Sequence, residues 1–147
     1  MYKSILIATD GSPLSDQAID SGFALAALCK ANVLVVKVVP LYARSFLEGG
    51  DNTTLEDAKR IEDQWAHSAQ QSLDGIRATG EARGVAVTTR VFKSDLVAET
   101  LVDAAKEHGC DLIVMASHGR KGIKRLLLGS ETQHVLTHST VPVLVLR

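Results

Sequence analysis

Short apolar runs rich in β-branched residues alternate along this chain with longer stretches of helical periodicity, and this alternation constrains the fold most strongly. The runs predicted as strands are 4–9, 33–39, 85–91, 111–116 and 141–146. The stretches predicted as helices are 14–29, 53 to between 79 and 83, 96–108 and 130–138. Strands separated by helices pair in parallel and are covered on both faces. The sequence therefore predicts an α/β fold with a five-stranded parallel sheet and helices on both faces.

Several helix boundaries are signalled by single residues. Pro13 suits the first position of the first helix. Thr53 with Glu56, and Ser130 with Gln133, have the spacing of a capping box, which predicts that the second and last helices begin there.

The second helix is long and mostly polar, so much of its surface is expected to face water. Gly75 and Gly80 disfavour helix, so the sequence does not fix the residue at which this helix ends.

Length and composition exclude several classes of protein. A chain of 147 residues that is 46% hydrophobic fits one domain, 1–147, with a real core. Sixteen basic and 17 acidic residues give a net charge of −1, which offers no general attraction to nucleic acid or to an anionic membrane. No apolar run approaches the ~20 residues of a membrane span, and the N-terminus lacks the pattern of a signal peptide. We therefore expect a cytoplasmic protein with no nucleic-acid or membrane partner.

The two cysteines, Cys29 and Cys110, show neither CxxC nor metal-site spacing. Each lies within or beside an apolar segment. We expect both to act as small core residues rather than as a disulfide pair.

The segment 115–130 combines two glycine corners, Gly119 and Gly129, with four cations and no acid between them. The cations are Arg120, Lys121, Lys124 and Arg125. The segment joins the predicted fourth strand to the last helix, whose first amides carry roughly half a positive charge and favour phosphate oxygens. Two interpretations remain open: an anion-binding loop, or a solvated connection with basic side chains.

In open α/β sheets a ligand lies beyond the carboxyl ends of the strands, where the winding direction reverses. If the first and fourth strands are neighbours, Asp10 could accept hydrogen bonds from a ribose, while amides near Gly119, Gly129 and Ser130 hold phosphates. The alternative for Asp10 is a local Asx-type turn or helix cap.

The spacing Ser117-His118-Gly119, nine residues, Gly129-Ser130, followed by the C-terminal run 141–145, resembles that of the universal stress protein family. The segments 3–12 and 111–115 share the resemblance, which covers essentially the whole chain. It implies a doubly wound sheet of order 3-2-1-4-5 and a homodimer formed through the last strand, 143–146. One branch of the family binds ATP through the motif G-x2-G-x9-G-(S/T).

The resemblance also implies the residues of a nucleotide site. Gly119 and Gly129 match the second and third motif glycines, Ser130 the hydroxyl residue, Asp10 the acid near the ribose, Val38 the backbone facing adenine, and Met115 and Ala116 the residues lining the nucleotide. Together with Thr9, His118 and Glu131, these form the predicted cofactor-binding set.

Two members of this set are unfavourable for a bound nucleotide: one replaces a motif glycine, and the other is negatively charged. Ala116 replaces the first motif glycine, and its methyl group intrudes where a sugar approaches the backbone. Glu131 places a carboxylate in the first helical turn, which favours the helix dipole but repels a triphosphate if it points inward.

Two histidine features bear on catalysis. His118 is interpreted as orienting the turn or contacting phosphate, with acid-base chemistry as the alternative. His134 and His138 share a helix face, but a metal would need further ligands, and stabilisation of the helix dipole is the preferred interpretation. A Walker-type GxxxxGK segment is absent, so no catalytic residue is assigned and ATP hydrolysis is expected to be slow at most.

The leading functional hypothesis is a stress-response sensor that binds ATP, with Mg²⁺, and acts on an unidentified regulatory protein. The alternative is a nucleotide-free dimeric stress or scaffold protein of the same fold.

Overall fold

Strands and helices alternate throughout the part of the chain that the structure describes, which in this computed structural model comprises residues 1–42, 54–119 and 127–147. The strands are β1 (Ser4–Ala8), β2 (Asn32–Val39), β3 (Val87–Lys93), β4 (Leu112–Ala116) and β5 (Val143–Leu146). The helices are α1 (Pro13–Cys29), α2 (Leu55–Ala82), α3 (Val97–Glu107) and α4 (Ser130–His138).

The strands form one parallel sheet of order β3-β2-β1-β4-β5. At the centre, Ile5 of β1 is in register with Val33 of β2 on one side and with Leu112 of β4 on the other. The chain therefore winds outward in both directions from β1, and the winding reverses between β1 and β4. This confirms the predicted doubly wound sheet and its strand order.

Alternate residues of the central strands enter two separate cores, because successive side chains of a strand point to opposite faces. On one face, Ile5 and Ile7 pack with Phe23 of α1 and Leu73 of α2. On the other face, Leu6 packs with residues of α3 and α4, including Leu101 and Val135. Burial on both faces explains why these strands read as continuous apolar runs.

The start of α2 differs from the prediction. Thr54 is the N-cap, and its hydroxyl oxygen accepts a hydrogen bond from the Asp57 amide at 3.1 Å. The predicted capping box of Thr53 and Glu56 is therefore wrong by one residue, and Thr53 itself lies outside the described residues, as does Gly49-Gly50. Both positions are threonines, so the sequence pattern does not distinguish the two caps.

The third strand also differs from the prediction. β3 is Val87–Lys93, two residues later at each end than the predicted strand 85–91. Val85 is buried, but its amide donates to Gly80 O at the end of α2 rather than to a strand. At the other end, pairing with β2 continues to Val39 opposite Lys93. The partner strand therefore decides where β3 stops.

Both cysteines are free thiols, as predicted. Cys110 is buried in the second core, and burial raises the pKa of its thiol. Cys29 is half-buried against the first core. Within the three described ranges, no helix is both long and apolar enough to cross a membrane.

Helix α2 runs through both of its glycines, and the two have opposite surroundings. A Cβ atom built on Gly80 would lie 2.5 Å from Val87 Cγ2 and 2.7 Å from Phe23 Cζ. A Cβ atom on Gly75 would meet nothing within 4 Å. Gly80 is thus required for the close packing of α2 against β3 and α1, whereas Gly75 is not required by packing.

We predict that Gly80→Ala lowers the free energy of unfolding by about 1–3 kcal/mol, because the added methyl group overpacks the core. The matched variant Gly75→Ala is expected to raise it by roughly 0.5–1 kcal/mol, since alanine favours helix at an open position. Urea denaturation of both variants provides the measurement. Equal effects of the two substitutions would contradict the packing described for α2.

Candidate functional site

The loops that follow β1 and β4 lie side by side at the carboxyl edge of the sheet. Thr9 and Asp10 follow β1, while Ser117, His118 and Gly119 follow β4. Because β1 and β4 are paired, the structure brings together two segments more than 100 residues apart in sequence. This is the point of winding reversal, where open α/β sheets bind ligands.

Asp10 and Gly119 bring these two loops into close approach. A Cβ atom added to Gly119 would collide with Asp10 Oδ2. The φ angle of Gly119 is not positive, so space rather than backbone conformation favours glycine at this position. Asp10 Oδ1 accepts a hydrogen bond from the Ser12 amide at 2.9 Å, which is the Asx-type turn anticipated as the alternative role. This turn directs the other carboxylate oxygen towards Gly119.

Thr9 supports the same turn from inside the fold. Its side chain is buried, and its hydroxyl lies 3.2 Å from Ser15 Oγ in α1. The Gly11 amide donates to Thr9 Oγ1 at 3.2 Å. Thr9 therefore holds the loop that presents Asp10.

The exit of β4 is fixed by hydrogen bonds to two other elements. The Ser117 amide donates to Leu146 O in β5 at 2.7 Å, and Ser117 O accepts from the Gly129 amide at 2.8 Å. The buried hydroxyl of Thr132 donates to Ala116 O at 3.0 Å and to Ser117 O at 3.1 Å. Sequence reasoning missed the roles of Ser117 and Thr132. The sequence feature that could have indicated these roles is a hydroxyl residue within three positions of each glycine corner.

Helix α4 begins at Ser130, as predicted, but its N-cap is Gly129 and not Ser130. Gly129 is its N-cap with an extended backbone, φ −61° and ψ 153°, and Ser130 is the first helical residue. The predicted capping box of Ser130 and Gln133 is wrong, because Gln133 Nε2 instead donates to Leu128 O at 3.1 Å. The N-cap residue itself, a glycine, contributes no side-chain cap. The first-turn amides of α4 lack intrahelical acceptors and are suited to an anion.

Glu131 lies in this first turn, but its carboxylate is bound elsewhere. Glu131 Oε2 accepts a hydrogen bond from the Ala98 amide, in the first turn of α3, at 2.9 Å. The carboxylate is therefore directed towards α3.

The other predicted site residues lie within the strands or directly after them. Met115 and Ala116 are buried in β4, and the Met115 side chain packs in the second core, so only their backbone is suited to contact a ligand. Val38 is half-buried near the end of β2. His118 is half-buried, with its Nδ1 3.0 Å from Ser117 Oγ, which fits a role in orienting the turn. The predicted basic residues Arg120, Lys121, Lys124 and Arg125 lie outside the described residues.

The His134 and His138 rings stack with centroids 4.2 Å apart, and His138 Nδ1 lies 2.9 Å from His134 O. In the described part of the chain, no group of three or more His, Cys, Asp or Glu side chains is placed to hold a metal ion.

Comparison with known proteins identifies the family. The model of the universal stress protein family matches residues 1–147. The chain belongs to this family. Universal stress protein MJ0531 of Methanocaldococcus jannaschii is 30% identical over 147 residues, which cover all of this chain and 83% of that protein. The solved structure of MJ0577, from the same organism, superposes with a TM-score of 0.85 at 29% identity and covers 99% of this chain and 96% of that one.

Some structural neighbours of this universal stress protein bind adenine nucleotides. One universal stress protein was solved in complex with cAMP, with a TM-score of 0.71 and 22% identity over 99% of this chain and 97% of that chain. Another, from Archaeoglobus fulgidus, was solved with dAMP, with a TM-score of 0.68 and 21% identity over 99% of this chain and 98% of that chain. At these identities the likeness shows the fold alone.

We predict that Thr132→Val lowers the free energy of unfolding by about 1–3 kcal/mol, because two carbonyl groups at the exit of β4 lose their buried donor. Thr132→Ser, which keeps the hydroxyl, is expected to retain more of this stability. Urea denaturation measures both.

The control is Thr137→Val on the same helix, where an exposed threonine hydroxyl donates to Gln133 O. We expect a change of no more than about 0.5 kcal/mol there. An equal loss at both positions would mean that the Thr132 hydroxyl has no special role in holding the loop.

Proposed function

We propose that this universal stress protein binds an adenine nucleotide, ATP with Mg²⁺, at the β1–β4 edge and acts as a sensor in the stress response. Two contacts of the loop after β4 carry the proposal: Gly119, which has no side chain, lies against the Asp10 carboxylate, and Ser117 O accepts from the amide of Gly129, the N-cap of α4. Membership of a family whose fold is known in nucleotide complexes supports it.

The start of α4 is the proposed phosphate end of the site. Its first-turn amides, at Ser130, Glu131 and Thr132, are donors without intrahelical acceptors, and they lie at the positive end of the helix dipole. The Gly129 amide is already used by Ser117 O, so it holds the corner closed while its neighbours face the ligand.

Asp10 is the proposed ribose contact. A carboxylate pressed against phosphates would repel them, but it accepts hydrogen bonds well from ribose hydroxyls. The Asx-type turn leaves Asp10 on the β1 side of the edge, across from α4. Val38, near the end of the neighbouring strand β2, is the proposed contact on the adenine side.

Mg²⁺ is proposed as a companion of the nucleotide rather than as a resident metal. Mg²⁺ is usually held by phosphate oxygens and water with one or two carboxylates, and it needs no cage made wholly of protein ligands. Bound Mg²⁺ would reduce the charge that the triphosphate presents to the protein.

A sensor must couple binding to conformation. A nucleotide shifts only those states for which its affinity differs, so the proposed output is a changed surface presented to a regulatory protein. The connection from Ser117 to Leu146 makes β5 one route from the site to the edge of the sheet.

A nucleotide-free dimeric scaffold is the second candidate, and two hydrogen bonds favour it. Asp10 Oδ1 is bound to the Ser12 amide and Gly129 N to Ser117 O, so both groups already serve the fold itself. On this interpretation the glycine segment is structural.

We predict that the purified protein releases adenine nucleotide on denaturation and binds Mg-ATP in calorimetric titration. Gly119→Val is expected to abolish binding, because its side chain would displace the Asp10 carboxylate and fill the crevice. Ala116→Gly is expected to retain or strengthen binding, since it restores the motif glycine.

Gly75→Ala is the control glycine substitution, on the open face of α2, and it is expected to bind as wild type does. Absence of copurified nucleotide together with a flat titration of wild type would favour the scaffold.

We also propose that the protein forms a homodimer through β5. Among the described residues, this strand, Val143–Leu146, pairs with β4 alone, and Leu144 is 39% exposed. An unpaired apolar edge invites pairing with another strand, and a two-fold symmetric copy would cover it.

Light scattering at micromolar concentration is predicted to give about twice the 15.7 kDa mass of one chain. Leu144→Lys should shift the mass towards the monomer, because a charge on an edge strand opposes pairing. Leu28→Lys, at a highly exposed position in α1, is the control and should leave the mass unchanged. A monomeric wild type would refute the proposed dimer.

A further inference from the structure

Helices α3 and α4 both begin at the carboxyl edge of the sheet, and neither begins with a side-chain cap from its own N-cap residue. The N-cap of α3 is Leu96 and that of α4 is Gly129, and neither forms a side-chain capping bond. Two positive helix ends therefore lie on the same side of the sheet, with first-turn amides that require acceptors.

The Glu131 carboxylate links these two helix starts. Glu131 is the second residue of α4, and its Oε2 accepts from the amide of Ala98, the second residue of α3, across 33 residues of sequence. A bond from an amide to a carboxylate is charge-assisted, and a negative charge at a helix N-terminus is favourable. The first turn of α4 is consequently tied to α3 rather than held by its own cap.

The same residue contributes to the proposed phosphate site. The Glu131 amide belongs to the first turn of α4. Only the length of one side chain separates the Glu131 carboxylate from that amide, and this distance is shorter than the Debye length of about 10 Å at 0.1 M salt. A phosphate bound to that turn would therefore experience the carboxylate charge, and the repulsion would grow with the charge of the phosphate group.

We propose that Glu131 is a positioning and specificity-determining residue of this site. It holds the first turn of α4 against α3, and its charge lowers affinity more for a highly charged nucleotide than for a singly charged one. This inference rests on the proposed nucleotide site. It predicts that Mg²⁺ promotes ATP binding partly by offsetting the repulsion from Glu131.

The charge is tested by titrating wild type, Glu131→Gln and the control Glu107→Gln with metal-free ATP and with cAMP. Glu107 ends α3, away from the helix start, and is exposed. Glu131→Gln is expected to raise ATP affinity roughly threefold to tenfold and cAMP affinity less than twofold, with a gain that shrinks as salt increases. An unchanged ratio of ATP to cAMP affinity, or the same change in Glu107→Gln, would overturn the specificity role.

The positioning role is tested without nucleotide, by amide hydrogen exchange at Ala98. Glu131→Ala is expected to speed exchange of this amide roughly tenfold, and Glu131→Gln, whose side-chain oxygen still accepts, to speed it less. Unchanged exchange in Glu131→Ala would overturn the link between the helices. If wild type binds neither nucleotide, the proposed function and the specificity role fail together, and the exchange at Ala98 still decides the positioning role.

Discussion

The parallel pairing of β1 with β4 is the constraint on which the rest of the structure depends. It places the first strand at the centre of the sheet, where both of its faces are buried and its side chains divide between two cores. The same pairing reverses the winding direction and brings two loops together at the carboxyl edge, where open α/β sheets bind ligands. Asp10 and Gly119 meet there only because strands distant in sequence lie side by side.

Several backbone amides at the carboxyl edge of the sheet donate hydrogen bonds to carboxylates. Asp10 accepts from the Ser12 amide, Asp95 from the Leu41 amide at 3.0 Å, and Glu131 from the Ala98 amide. Negative side chains are stable there because the helix N-termini are positive. Gly129, the N-cap of α4, has no side chain to contribute, so the first turn of this helix is the proposed position for an external anion.

Local patterns predicted the elements well because each strand and helix carries its own periodicity and stop signals. Pro13 begins α1 as expected, and 130–138 is helical as expected. The caps of α2 and α4 were each misplaced by one residue. Thr54 adjoins another threonine, and Gly129, which is also tolerated as an N-cap, precedes a serine that local preference favours more strongly. The pairing partner, and not the strand's own residues, decided the limits of β3.

The sequence by itself determined the fold class, the family and the identity of the loop residues, because periodicity and motif spacing are local properties of the chain. Only the tertiary structure decided what those residues contact. Gly80 is required because Phe23 packs against it. The Thr132 hydroxyl donates to the exit of β4, and the Glu131 carboxylate accepts from α3. The physical reason is that a side chain's partner is set by elements brought near it in folding, which no local pattern records.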